Sequence, residues 1–215
     1  MKLLGIDDAG RGPVVGPMVL AGVLIYEDYE KKLKELGAKD SKLLLPKKRQ
    51  QLKKEIEKLE HKFVISTPPQ IDAHPNLNKL EAEKTAAIIN ALVKEKTKVI
   101  VDCPSSNPQE WQDHLVTLIH KNVLPLIQLS CEHKADANHP VVSAASIIAK
   151  ETREEELVKL KAKLKIDFGS GYPSDPATIE FIKDNYNNPE YKDIIRHSWN
   201  TVKRLQTAED QKKLF

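Results

Sequence analysis

Leu3-Leu4-Gly5-Ile6-Asp7-Asp8-Ala9-Gly10-Arg11-Gly12-Pro13 runs from a short apolar segment straight into two adjacent carboxylates and a glycine-rich turn. Leu3 to Ile6 has the pattern of a strand, and the β-rich run Val14 to Tyr26 reads as the next one, separated from it by Gly10, Gly12 and Pro13. Two early strands joined by so short a connection predict an antiparallel start to a sheet. Asp7 and Asp8 then stand where a strand gives way to a turn. Neighbouring strand residues point to opposite faces, so both can serve one site only if the chain bends there, and Gly10 and Gly12 make a bend feasible.

Working outward, Pro46 opens a lysine-rich amphipathic helix to about Leu59, and His61 to Thr67 reads as a third strand. Leu77 to Lys96 has helical spacing, and the short apolar run Lys98 to Val101 is a buried strand with Asp102 at its carboxyl end. Trp111 to His120 is expected to be helical, Val123 to Leu129 extended, and Val141 to Leu164 a helix whose first half is small and apolar. Gly169-Ser170-Gly171-Tyr172-Pro173-Ser174-Asp175-Pro176 is the strongest loop signal in the chain. Helical patterns follow at Ala177 to Asn185, Tyr191 to Arg196 and Trp199 to Lys213. The layout is an α/β body over residues 1–168 and a helical extension over 169–215.

A chain of 215 residues can build a packed core without disulfides. Hydrophobic residues at 40% and charged residues at 30% describe a globular protein rather than a disordered one. The amino terminus reaches two carboxylates too soon for a signal peptide, and no uncharged run is long enough to cross a bilayer, so a cytoplasmic protein is expected. Its two cysteines, Cys103 and Cys131, are too few for a disulfide framework. With His133 and His139 they also lack the paired spacing of a zinc site. There is no GxSxG elbow and no Walker-type phosphate loop, which sets aside serine hydrolases and nucleotide kinases. A net charge of +3 permits nucleic-acid binding without arguing for it, and most lysines fall on helix faces with acidic partners.

The chemistry rests on Asp7, Asp8, Asp102 and Asp136, the last in a polar loop just before a helix. Carboxylates gathered at strand ends repel one another and resist ionising unless divalent cations neutralise them. Oxygen-only ligands favour Mg²⁺ or Mn²⁺ over zinc. Two such ions suit the in-line hydrolysis of a phosphodiester. The competing reading is that each acid caps a helix or a turn, as aspartates near turns commonly do. Spacing alone leaves both open.

Gly5-Ile6-Asp7-Asp8-Ala9-Gly10-Arg11-Gly12-Pro13-Val14-Val15-Gly16-Pro17-Met18 closely resembles the opening motif of type 2 ribonuclease H, in its archaeal and eukaryotic branch. The resemblance continues through Asp40-Ser41-Lys42, Leu77 to Ala82, His133 to Asp136, Val141 to Lys150, Gly169 to Asp175 and Ser198-Trp199, in family order from residue 5 to about 201. It implies a ribonuclease H fold, with a mixed central sheet flanked by helices and a C-terminal helical extension. It also implies endonucleolytic cutting of RNA paired to DNA, including 5′ of a lone ribonucleotide in duplex DNA, leaving a 3′-hydroxyl and a 5′-phosphate. By position, the resemblance makes Asp7, Asp8, Asp102 and Asp136 the catalytic metal ligands for two Mg²⁺ or Mn²⁺ ions.

The same resemblance makes Gly10, Arg11 and Gly12 the element that senses the ribonucleotide 2′-hydroxyl and adjacent phosphate. Glycines let the backbone approach the sugar, and only that hydroxyl separates RNA from DNA there. Tyr172 matches a tyrosine that stacks on the following sugar, and Lys42 matches a lysine that contacts phosphate. Ser143 and Ser146 open a helix whose amino end is suited to a phosphate, or they cap and pack it.

One position departs from the family pattern: aspartate stands at residue 8 where glutamate is usual. The carboxylate is kept but reaches roughly 1.5 Å less far. A hybrid-binding protein with impaired catalysis is therefore the alternative reading. The terminal Gln211-Lys212-Lys213-Leu214-Phe215 resembles the start of a sliding-clamp-binding peptide, cut short, against which stands an ordinary helix end. No association motif is evident, and a monomer is expected.

Overall fold

The computed structural model describes residues 1–37 and 45–212. Asp40-Ser41-Lys42 and the last three residues lie outside them. The chain divides into two compact units, one of Met1–Ala9, Val19–Val64 and Asn76–Thr152, the other of Gly10–Met18, Ile65–Pro75 and Arg153–Phe215. The boundary expected between residues 168 and 169 lies inside the second unit, whose last run begins at Arg153.

The first unit is built on β1 (Lys2–Ala9), β2 (Met18–Tyr26), β3 (Glu60–Ser66), β4 (Thr97–Asp102) and β5 (Ile127–Glu132). They form one sheet in the order β3-β2-β1-β4-β5. β1 pairs antiparallel with β2 and parallel with β4, which pairs parallel with β5. Leu3, Leu4 and Ile6 of β1 and Val99 to Val101 of β4 are no more than 2% exposed. Such uninterrupted apolar runs are what strands covered on both faces require.

Helices α1 (Glu30–Leu36) and α2 (Pro46–Ile56) precede β3, and a short α3 (Pro68–Ala73) follows it. Next come α4 (Leu77–Leu92) and α5 (Pro108–Leu118), started by the side chains of Asn76 and Asn107, which accept from the Lys79 and Glu110 amides. The indole of Trp111 on α5 donates to the Asn78 carbonyl of α4 at 3.0 Å. A short α6 (Ala135–Asn138) leads into the long α7 (Pro140–Leu164). The opening stretch of α7 packs tightly on the sheet: a Cβ on Gly5 would lie 2.5 Å from the Val141 carbonyl carbon. Only glycine allows that approach.

The second unit has its own core, in which Val14 and Val15 meet Leu157, Phe168, Phe181 and Ile195 among others. Phe181 packs its ring on Phe168 at 5.8 Å and edge-on to Tyr191 at 5.3 Å. Helices α8 (Pro176–Asn185) and α9 (Asn200–Lys212) belong here.

Two sequence expectations fail in this unit for one reason. The β-rich run begins pairing in β2 at Met18 rather than Val14, and Tyr191 to Arg196 forms no helix: a 3-10 turn at Pro189–Tyr191 runs on as turns through Ile194 and ends in a β-bridge at Ile195. Val15 instead bridges Ile195, the Gly16 amide donates to the Ile194 carbonyl, and the Arg196 amide donates to the Val14 carbonyl. Backbone pairing across the length of the chain outweighs the local helical pattern of Tyr191 to Arg196.

Candidate active site

Asp7 and Asp8 lie within β1, paired in register with Ala21 and Leu20, rather than after the strand as the sequence suggests. Alternation buries Asp7, which is 6% exposed, and leaves Asp8 half-buried. Both nonetheless line one small pocket, with Asp102, Glu81, Thr85 and Trp111. The Asp8 amide donates to Asp7 Oδ1 at 2.7 Å, which folds the Asp7 side chain back along its own strand.

Asp102 ends β4, as expected, one residue past the Ile6–Val101 pair that sets β1 beside β4. Its Oδ1 accepts the Ala135 amide at 2.8 Å. That bond anchors the start of α6, so Asp136 belongs to a helical turn rather than to a loop, and it is buried. Lys134 enters the turn at φ 57, a left-handed conformation that costs a side-chain-bearing residue roughly 1 kcal/mol.

Burial, then the charges of Asp8 and Asp102, push the Asp7 carboxyl well above the usual carboxylate range, against hydrogen bonds from Ser146 and the Asp8 amide. Ser143 and Ser146 are completely buried on α7, and Ser146 serves Asp7 directly. Among the described residues, no group of three or more His, Cys, Asp or Glu side chains stands close enough to hold a metal ion. Asp7, Asp8, Asp102 and Glu81 form a charged neighbourhood around the pocket rather than a finished ligand shell, and Asp136 is not among the residues lining it. The donor set itself, all carboxylate oxygen, suits a hard divalent ion, and Asp7 is the group whose ionisation such an ion would favour.

Glu81 is a participant that the sequence reading did not single out. It is 1% exposed. Its signal was available: residues 81, 85, 88 and 92 share a face of α4, and this face is otherwise Thr, Ile and Leu. A carboxylate on a core-facing stripe needs a reason. Cys103 and Cys131 are free thiols, and burial pushes that of Cys131 up to about 12, leaving it unreactive.

The remaining candidates belong to the second unit. Gly10 sits at φ +86, and a Cβ there would lie 2.5 Å from Arg153 Cδ and 2.7 Å from the Pro17 carbonyl oxygen. Only glycine meets both demands. Arg11 is half-buried and Gly12 exposed. Tyr172, 39% exposed, carries the Arg153 guanidinium over its ring at 5.2 Å. Asp175 shapes the loop holding Tyr172, accepting the Ser170 amide at 2.6 Å and the Ala177 amide at 3.0 Å.

Arg196 is the second residue the sequence reading left without a role, and it is completely buried. Its guanidinium donates to the carbonyls of Gly10, Arg11 and Gly16. Placing it inside a helix hid it. Lys42 lies outside the described residues.

A sequence profile of the ribonuclease HII family matches residues 4–202. Ribonuclease HII of Pyrococcus furiosus is 40% identical over 217 aligned positions, covering 99% of this chain and 95% of the relative. The crystal structure of ribonuclease H2 from Pyrococcus horikoshii superposes with a TM-score of 0.84 at 38% identity, over 97% of this chain and 98% of that one. A chain in the PCNA:RNase HII complex from Archaeoglobus fulgidus gives 0.81 at 37% identity, over 93% and 96%. With these neighbours, the mixed five-stranded sheet and its flanking helices are the ribonuclease H fold.

Proposed function

The chain belongs to the ribonuclease HII family, and on that premise we propose that it hydrolyses the RNA strand of RNA–DNA hybrids and cuts 5′ of single ribonucleotides in duplex DNA. The observation that carries the catalytic half of this reading is the crowding of Asp7 by Asp8 and Asp102 around one pocket. Asp7, Asp8, Asp102 and Asp136 would hold divalent ions there. Bound Mg²⁺ or Mn²⁺ supplies charge neutralisation and Lewis-acid assistance to attack and departure at a phosphodiester, leaving 3′-hydroxyl and 5′-phosphate ends.

The protein's own contribution is placement. Ser146 and the Asp8 amide orient the Asp7 carboxyl, and the Ala135 amide orients that of Asp102. Gly10, Arg11 and Gly12 read the ribonucleotide, Tyr172 stacks beside it, and Lys42 contacts phosphate. Ser146 supports Asp7 from within α7, and Ser143 and Ser146 are the proposed phosphate contacts at the start of that helix, both shut off from solvent before substrate binds. A sliding clamp is a further proposed partner, through the terminal Gln211 to Phe215. The Archaeoglobus relative in complex with PCNA supports it.

Asp8 favours a second reading, in which the protein binds hybrids but cuts them poorly. A duplex DNA carrying one ribonucleotide, incubated with Mg²⁺ or with Mn²⁺, separates the two. The first reading expects a single cut 5′ of the ribonucleotide, with Asp8→Glu changing the rate by no more than about tenfold. No cut with either ion, together with rescue by Asp8→Glu, would defeat it.

A further inference from the structure

The backbone of Gly10-Arg11-Gly12 is held from behind by one distant segment. Arg196 Nη2 donates to the Gly10 carbonyl at 2.7 Å and Nη1 to the Arg11 carbonyl at 3.0 Å. Trp199 Nε1 donates to the Gly12 carbonyl at 3.2 Å. The Gly16 carbonyl, past the turn, accepts from Nε at 3.0 Å and from Nη2 at 2.9 Å. The guanidinium stacks on the Trp199 ring, 4.8 Å from its centroid. All three carbonyls of the turn thus point at Arg196 and Trp199.

Peptide planarity turns these bonds into a statement about the opposite edge. In a trans peptide, the N–H of the next residue points away from the carbonyl. Fixing the Gly10 and Arg11 carbonyls on a buried guanidinium therefore aims the Arg11 and Gly12 N–H groups the other way. Those are the half-buried and exposed residues of the turn. Pro13 has no N–H, so the Trp199 bond fixes the third plane without adding a donor.

We propose that Arg196 and Trp199 are positioning residues for recognition, which set the Arg11 and Gly12 amides as a paired donor for a sugar–phosphate oxygen of the ribonucleotide strand. The inference rests on the reading of Gly10 to Gly12 as the ribonucleotide sensor. A flexible Gly-Arg-Gly turn would lose orientational freedom on each encounter, whereas this one is ordered before substrate arrives.

Two variants test it in the full chain. Trp199→Phe removes one donor and keeps the ring; Arg196→Lys keeps the charge but cannot reach three carbonyls at once. The readouts are kcat and KM on a duplex with one ribonucleotide, inhibition of that reaction by the all-DNA duplex of the same sequence, and the thermal midpoint. Trp199→Phe is expected to lower kcat/KM about tenfold and Arg196→Lys about a hundredfold, with the Trp199→Phe midpoint within a few degrees of wild type. Unchanged inhibition by all-DNA duplex assigns the paired donor to the 2′-hydroxyl, and an equal weakening assigns it to phosphate; either supports the proposal.

Wild-type kcat/KM in both variants would overturn it. So would a loss in Trp199→Phe matched by an equal loss of folded protein, which marks a merely structural role. If Arg196→Lys does not fold, Trp199→Phe decides. A wild-type protein that never cuts the ribonucleotide duplex would instead remove the functional reading beneath it.

Discussion

The acid edge of the first unit and the glycine turn of the second are both polar and largely buried, but they are balanced in opposite senses. At the acid edge, burial and then the like charges of Asp8 and Asp102 raise the cost of ionising Asp7. At the turn, a buried cation is shared among neutral carbonyls and every described contact is favourable. The region proposed to hold a metal ion is left electrostatically incomplete. The region proposed to read the ribonucleotide is completed by the protein itself. Stability and function should therefore trade against each other at the first and run together at the second.

The largest expected effect separates the two at Asp7. Asp7→Asn removes a proposed metal ligand and should lower cleavage of a ribonucleotide-containing duplex by roughly a thousandfold or more. It also relieves the repulsion from Asp8 and Asp102, so the thermal midpoint in metal-free buffer should rise by a few degrees. The rise that Mg²⁺ or Mn²⁺ gives the wild type should shrink in the variant. Calorimetry with and without the ion checks both, and a lowered metal-free midpoint would contradict the electrostatic account.

At the turn, Gly10→Ala should lose both properties together. The residue sits at φ +86, and the added methyl meets Arg153 and the Pro17 carbonyl, costing about 2–4 kcal/mol. Denaturant unfolding measures that loss, and kcat/KM on the single-ribonucleotide duplex should fall in parallel.

The smallest effect lies in the loop that carries Tyr172. Hydrogen bonds from Ser170, then from the amides that open α8, hold the Asp175 carboxyl below the usual carboxylate range. A depressed acid contributes stability above its unfolded pKa and loses it as pH falls through the folded value. Asp175→Asn should therefore lower the thermal midpoint slightly at neutral pH. The gap to wild type should close below about pH 4, near the ordinary carboxylate value. A gap independent of pH would show that the carboxylate charge plays no part.

What the sequence made legible follows the range of the interactions involved. The buried β4 with Asp102 at its end, the small apolar start of α7 and the loop from Gly169 were readable because periodicity and turn chemistry are local. The edges were less so: β1 extends through both aspartates because pairing with Ala21 and Leu20 continues there. The backbone pairing of Ile194 to Arg196 escaped because its partners, Val14 to Gly16, lie at the other end of the chain. Glu81 and Arg196 were missed on related grounds. Their importance comes from what surrounds them, and a single charged residue in a helical pattern reads as solvent-facing.

The bond between Arg196 and the Gly10 carbonyl spans 186 positions, and this fixes an order of events during synthesis. Asp7, Asp8, Asp102 and Asp136 have all been made while Arg196 is still to come. At about 5–20 residues per second, a growing chain waits some seconds between its last acid and the arginine that sets its first turn. On the proposed reading, the residues that cut are thus made before the one that sets the ribonucleotide-reading turn, and any message that ends before residue 196 yields a chain without that arginine.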